Sequence, residues 1–216
     1  PEIFNNMPMS VSPMVASGRF LKELYFDAKV VFISPCTAKK AEAKQEKLKD
    51  AIDFVITFQE LKDMFEVAEV KLSNLTENNK DQASFAGRVY ARTGGVSLSV
   101  KTVVNRIAPN RLINLKAEQV TGPQECMNIL GKLSQGVNIE SNFIEGMGCD
   151  GGCVGGPKTN IEKEKATKMV NKFGEESLIM TPMDNMNIIK ILDNFDLNNY
   201  EDIVIDQKMK ELLKKE

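Results

Sequence analysis

The sequence predicts an α/β fold, on three observations. Short β-branched and aromatic runs alternate with amphipathic helical stretches, the pattern of helices packed on a sheet. The 216 residues are 42% hydrophobic and 27% charged, ample for one buried core. The strongest apolar stretch, residues 30–33, is far too short to span a bilayer.

The elements follow in order. Residues 29–34 are β-branched and aromatic and end at Pro35, which predicts a buried strand. Residues 37–49, rich in Ala, Lys and Glu, predict a helix. Residues 53–57 predict a second strand, and Thr57 with Glu60 three positions on forms a capping box. The helix it opens carries Leu61, Met64, Phe65 and Ala68 on one apolar face. Residues 72–82 are polar and Asn-rich and read as a surface loop. The run 96–104, after Gly94 and Gly95, suits strand or helix on composition. A short strand is expected at 110–115, then a helix from Thr121 with Pro123 in its first turn and a stop at Gly136. A strand at 137–144 follows, then a helix at 163–173 stopped by Gly174. Helices at 185–195 and 206–216 close the chain. No repeat or linker divides it, so residues 1–216 are expected to form a single α/β unit. Pro1 stands where an element reads as ending, so the sequence reads as a piece of a longer chain.

Lys and Arg total 28 and Asp and Glu total 30, a net charge of −2 with a pI of about 5.5. That balance offers no footprint for nucleic acid. There is no histidine, which excludes Ser-His-Asp triads, Cys-His pairs and HExxH zinc sites within this sequence. Metal chemistry here must use thiolates, thioethers or carboxylates. Four cysteines in a chain of this size, with no signal-peptide pattern, point to a reducing, cytoplasmic compartment and no membrane.

The sharpest local signal lies between Glu145 and Pro157, where six of thirteen residues are glycine. Each ordered glycine costs extra backbone entropy, so this density suits a backbone that must approach a bulky ligand closely. Cys149 and Cys153 are four apart and project to one side of a helical turn, an arrangement that suits thiolate ligation of iron and sulfide. A glycine-rich turn with two plain thiols fits the spacing equally well, and a redox dithiol is a further reading, although this CxxxC is not the C-x-x-C of thioredoxin-like proteins. The second signal runs from Ser34 through Pro35, Cys36 and Lys39 to Glu42. Cys36 falls at the mouth of a helix, where a thiolate is favoured, and Lys39 lies one turn on. Alone, this stretch also reads as a solvated Lys/Glu helix. Cys126, inside the helix after Pro123, reads as a small core residue.

Together the two motifs resemble the C-terminal domain of the large subunit of iron-only (FeFe) hydrogenases. That family has three cysteine motifs: Thr-Ser-Cys-Cys-Pro, Pro-Cys-x-x-Lys-x-x-Glu, and Glu-x-Met-x-Cys-x-x-Gly-Cys. The second matches at Pro35, Cys36, Lys39 and Glu42, and the third at Glu145, Met147, Cys149, Gly152 and Cys153. Thr93, Gly94, Gly95 and Val96 look like the family's Thr-Gly-Gly-Val turn before a helix, which favours helix after residue 96.

The resemblance implies an H-cluster domain, with helices packed on small mixed sheets around a metal-binding cleft. It implies Cys36, Cys149 and Cys153 as ligands of a 4Fe-4S cluster, with Cys153 bridging to a two-iron subsite. Lys39 would hold an anionic ligand of that subsite and Met147 would pack beside it, while Pro35, Glu42, Glu145 and Gly152 join in binding the cofactor. The implied reaction is the reversible oxidation of dihydrogen to protons and electrons, with a ferredoxin-like carrier as partner. The three sulfurs are expected to converge on one cleft, with Cys126 elsewhere. The first motif is absent from these residues, so the cofactor is expected to be incomplete and this stretch inactive alone. Ser34, Pro8 and the shortened run Gly155, Gly156 and Pro157 depart from the family pattern and suggest a divergent branch. Related non-catalytic roles, hydrogen sensing or an iron-sulfur scaffold, stand as the alternative.

Overall fold

A computed structural model describes residues 2–8, 10–76, 83–197 and 202–214. Among them are α1 (Pro13–Leu24), β1 (Val31–Ser34), α2 (Ala38–Ala43), β2 (Phe54–Thr57), α3 (Phe58–Val67), α4 (Phe85–Arg88) and α5 (Gly95–Ile107). There follow β3 (Ala117–Thr121), α6 (Gly122–Ser134), β4 (Phe143–Met147), α7 (Lys163–Glu175), α8 (Met186–Asn194), α9 (Asp202–Ile205) and α10 (Gln207–Leu213). The class is α/β, as expected. The sheets are small, two strands each, but both are parallel rather than mixed. The residue contacts divide the chain into two compact units.

One unit comprises Asn5–Thr76, Pro157–Asn160 and Leu192–Glu216. Its core is Val11, Met14 and Val15 of the α1 region against Val30, Ala51 and Ile52, with Phe32 and Val55 packed on it. Gly18 lets α1 approach closely, because a Cβ there would lie 2.3 Å from the Ala51 carbonyl oxygen. Asp53 ties the strand entry to α1. Its carboxylate accepts from the Val30 amide at 2.8 Å and meets Lys22 Nζ at 3.0 Å. At the chain's far end, the Val11 amide donates to the Leu213 carbonyl and Arg19 to that of Leu212. β1 pairs with β2 from Val31↔Phe54 to Ser34↔Thr57.

The capping box is present: the Glu60 amide donates to Thr57 Oγ1, and the Glu60 carboxylate accepts from the Thr57 amide at 2.8 Å. The Lys40 ammonium, and then Thr57, hold the Glu60 carboxyl down at about 2, against an ordinary 4.5. A carboxylate with a depressed folded pKa stabilises above its unfolded pKa and loses that contribution as pH falls toward the folded value. Acid titration is therefore expected to fray the start of α3 as pH falls from 4.5 toward about 2. The amide shifts of Thr57 and Glu60 would report it, and Glu60→Gln should erase the step. Flat shifts across that window would contradict the assignment.

The other unit comprises Pro1–Phe4, Glu77–Gly156 and Ile161–Ile191. β3 pairs with β4 in parallel, with Gln119↔Glu145 and Thr121↔Met147. Several expectations are corrected here. The strand expected at 110–115 lies at Ala117–Thr121, and that at 137–144 lies at Phe143–Met147, where parallel pairing fixes both. Gly174 does not stop α7. It is buried inside the helix, where a Cβ would lie 2.6 Å from Val89 Cγ1 and 3.2 Å from the Phe85 ring. The run after Gly95 is helical, while the 37–49 stretch breaks into α2 and a 3-10 turn at Glu46–Leu48. Residues 77–82 of the expected loop and 215–216 of the tail helix lie outside the described residues.

Candidate metal centre

The third motif begins on β4 with Glu145, which is 3% exposed. Its carboxylate does not face outward. Oε1 accepts from the Gly94 amide at 2.7 Å, and Oε2 accepts from the Ser97 amide at 2.7 Å and the Ser97 hydroxyl at 2.6 Å. Gln119 Nε2 supports that hydroxyl at 3.2 Å. A carboxylate thus sits on the first turn of α5, where the helix dipole and unpaired amides favour negative charge. The two glycines of Thr-Gly-Gly-Val serve this contact: Gly94 takes φ +77, and a Cβ on Gly95 would lie 2.0 Å from the Val89 carbonyl oxygen.

Beyond β4 the chain folds into a tight turn. The amides of Gly152, Gly155 and Gly156 donate to the carbonyls of Cys149, Gly152 and Cys153 at 2.9–3.0 Å. The Thr93 amide donates to the Gly151 carbonyl at 2.9 Å, and Arg92 bridges antiparallel to Gly152. Glu145 therefore holds one end of the Thr93–Gly95 segment while the cysteine turn is stitched to the other. This revises the reading of the glycines. A Cβ on Gly152 would lie 2.7 Å from the Thr93 nitrogen, and one on Gly155 would lie 1.9 Å from the Asp150 carbonyl oxygen. The close approach there is to the chain's own backbone. Gly148, with nothing within 4 Å of a built Cβ, keeps open space beside it.

Lys163 lies across the turn. Its ammonium meets Asp150 Oδ2 at 2.6 Å, and its stem occupies the space that a Cβ on Gly151 would need. The pair holds the Asp150 carboxyl below its usual range and raises the lysine. Tyr90, just upstream of the stitched segment, has its phenol pushed up by burial, then by the charges of Glu145 and Cys153. Sequence reading does not single out Tyr90, Lys163 or Asp150. The proximity of Tyr90 to the Thr-Gly-Gly run was the one available signal.

The second motif belongs to the other unit. Pro35 is buried, and its carbonyl accepts from the Lys158 amide at 3.1 Å. The Cys36 amide donates to Ser34 Oγ at 3.2 Å. Lys39 Nζ is held by Glu42 Oε2 at 2.5 Å, each side chain about a quarter exposed. All four cysteines are thiols; Cys36, Cys126 and Cys149 are half-buried and Cys153 is exposed. Cys126 is not remote from the third motif. Its Sγ lies 3.7 Å from the Met147 carbonyl oxygen and fills space that Gly146, lacking a Cβ, leaves open.

Among the described residues, no group of three or more His, Cys, Asp or Glu side chains is arranged to hold a metal ion. The donor set nonetheless fits an iron-sulfur cluster in kind: thiols in two motifs and no imidazole. In number it supplies three of the four thiolates such a cluster takes.

Residues 1–157 match the family model for the iron-only hydrogenase large subunit, C-terminal domain. The chain belongs to this family. The matched stretch contains every motif residue described above and ends at Pro157. Among curated relatives, Iron hydrogenase 1 of Clostridium pasteurianum is 28% identical over 245 residues, covering 90% of this chain and 42% of the relative. A probable cytosolic Fe-S cluster assembly factor, narfl, of Dictyostelium discoideum is 23% identical over 215 residues, covering 74% of this chain and 41% of its own length. The family chain thus spans about two fifths of these curated relatives. Among solved structures, an FeFe-hydrogenase studied for oxygen inactivation of the H cluster 2Fe subcluster matches with TM-score 0.69 at 18% identity. The match covers 96% of this chain and 68% of that one. A variant of the FeFe-hydrogenase HydA1 from Chlamydomonas reinhardtii matches with TM-score 0.68 at 18% identity, covering 96% and 69%. These likenesses establish the family's fold. No helix among the described residues is long and apolar enough to cross a membrane.

Proposed function

We propose that this chain forms part of an H-cluster domain, in which Cys36, Cys149 and Cys153 are thiolate ligands of a 4Fe-4S cluster and Cys153 also bridges to a two-iron subsite. The assembled protein would catalyse reversible oxidation of dihydrogen to protons and electrons, exchanging electrons with a ferredoxin-like carrier in the cytoplasm. The observation that carries the reading is the Cys149–Cys153 turn, fixed by backbone pairing to the Thr93–Gly95 segment and through it to Glu145. A ligand turn held in this way keeps two thiols at a set spacing without relying on metal for its shape.

The group, when bound, supplies the two-electron chemistry. The protein's part is position and polarity. Lys39 offers an ammonium to an anionic ligand, and Glu42 holds that ammonium in place one turn away. Pro35 sets Cys36 at the strand end and is itself fixed by Lys158, five residues beyond Cys153, the last residue of the third motif. Met147, half-buried at the end of β4, offers a soft apolar contact. Gly152 and Glu145 act by holding the turn.

A non-catalytic iron-sulfur role is the second reading, in keeping with the likeness to narfl. Turnover separates the two readings. The 216-residue chain, matured anaerobically with iron, sulfide and the two-iron cofactor, is expected to evolve no hydrogen from a reduced dye, because a corner of the cluster lacks its thiolate. The same chain joined to a segment carrying the Thr-Ser-Cys-Cys-Pro motif is expected to turn over. A fully loaded joined protein that stays silent would favour the non-catalytic reading.

A further inference from the structure

We infer that the Thr93 hydroxyl donates a hydrogen bond to sulfur of the cluster carried by the Cys149–Cys153 turn, and so helps set that cluster's reduction potential. The inference rests on the proposed function and adds to it a residue outside the cysteine motifs. Both backbone groups of Thr93 are engaged. Its amide donates to the Gly151 carbonyl at 2.9 Å, and its carbonyl accepts from Arg92 Nη1 at 2.9 Å. The hydroxyl oxygen is buried and has no partner among the described residues. A buried hydroxyl without a partner carries its full desolvation cost, so it calls for an explanation. Other hydroxyls of this unit need none. Ser97 Oγ donates to Glu145, Ser99 Oγ to the carbonyls of Ala86 and Gly95, and Thr167 Oγ1 to that of Lys163.

Thr93 lies against the cysteine turn. Its nitrogen is the nearest atom to the Cβ position of Gly152, at 2.7 Å, and the residue before it, Arg92, bridges to Gly152. The residue after it is held as firmly, since the Gly94 amide donates to the buried Glu145 carboxylate at 2.7 Å. A β-branched side chain on a backbone fixed from both sides has few rotamers, so its hydroxyl cannot swing to a distant acceptor. Bulk water is not that acceptor. Thr93 lines a cavity with Arg92, Gly151 and Lys163, but its hydroxyl oxygen is out of contact with solvent. Thiolate and sulfide sulfurs accept hydrogen bonds, and such bonds favour the reduced, more negative cluster. A single buried water is the rival acceptor, and the two make opposite predictions.

The test compares Thr93→Val, an isostere without the hydroxyl, with Thr93→Ser, which keeps it. In the metal-free chain Thr93→Val removes a hydroxyl that has no partner, so its thermal midpoint should equal or exceed the parent's. The protein as its own cells make it is then purified anaerobically and poised at a series of potentials. Electron paramagnetic resonance follows the signal that Cys149→Ala removes. At the potential where the parent cluster is half reduced, Thr93→Val should lower the reduced-to-oxidised ratio about tenfold, which is ~59 mV for one electron. Thr93→Ser should keep the parent's ratio. An unchanged ratio in Thr93→Val, or an equal shift in Thr93→Ser, would overturn the inference. So would a lowered midpoint in metal-free Thr93→Val, the mark of a hydroxyl already bonded to a buried water. Those three results leave the proposed function standing. If Cys149→Ala removes no signal, the proposed function fails and the inference with it.

Discussion

Replacing Glu145 by Ala is expected to destabilise the Cys149–Cys153 unit by about 3–5 kcal/mol, the range for removing one side of a buried, charged hydrogen-bond network. The substitution leaves the Gly94 amide, the Ser97 amide and the Ser97 hydroxyl without their acceptor at the start of α5. Glu145→Gln keeps the volume but points an amide group at donors, and should cost about 2 kcal/mol. The effect should not stop at α5. Gly94 follows Thr93, whose amide holds the Gly151 carbonyl, so loosening the clamp frees the cysteine turn. Chemical denaturation gives the stability change, and alkylation of Cys149 and Cys153 should accelerate in both variants. If Glu145→Gln were as stable as the parent with unchanged alkylation, Glu145 would not be positioning the turn.

Gly152→Ala is expected to be comparably severe, roughly 3 kcal/mol or more, from backbone strain and a main-chain clash together. Gly152 takes φ +85 and ψ −156, a conformation that is essentially glycine's alone. Its missing Cβ would also press on Thr93 N at 2.7 Å, Arg92 C at 2.9 Å and Ala91 O at 3.0 Å, all backbone atoms that cannot swing away. Gly148→Ala is the internal control. With nothing within 4 Å of its Cβ, it should change folding stability little. Equal thermal midpoints for the two variants would show that the turn tolerates side chains and is not held as described.

Much of this was legible in the sequence because it is local. The strands at 31–34 and 54–57 are compact β-branched runs, and the Thr57–Glu60 capping box depends on residues three apart. α1 went unassigned although Ser12 and Pro13 are a helix-start signal, since its apolar positions are broken by Gly18 and Arg19. β3 and β4 were misplaced by several residues because their limits are set by pairing with each other, which no local pattern encodes. The same distinction governs the site. The cysteines, Lys39 and Met147 stand out as motif residues. The work of Glu145 does not, because its partners lie 48 and 51 positions away. Nor does the cause of the glycine density, because the backbone that Gly152 approaches belongs to a distant segment. No linker in the sequence marks a division, and the contacts form two compact units, with Cys36 in one and Cys149 and Cys153 in the other.

The central claim, that Cys36 joins Cys149 and Cys153 as ligands of one cluster, is tested most directly by anaerobic reconstitution with iron and sulfide. Bound iron is counted, and the reduced protein's electron paramagnetic resonance spectrum is recorded, for single Cys→Ala variants at all four positions. The account predicts that Cys36→Ala, Cys149→Ala and Cys153→Ala each lose the cluster signal and most of the bound iron, while Cys126→Ala retains both. Full loading of Cys36→Ala, or loss of the cluster in Cys126→Ala alone, would contradict it.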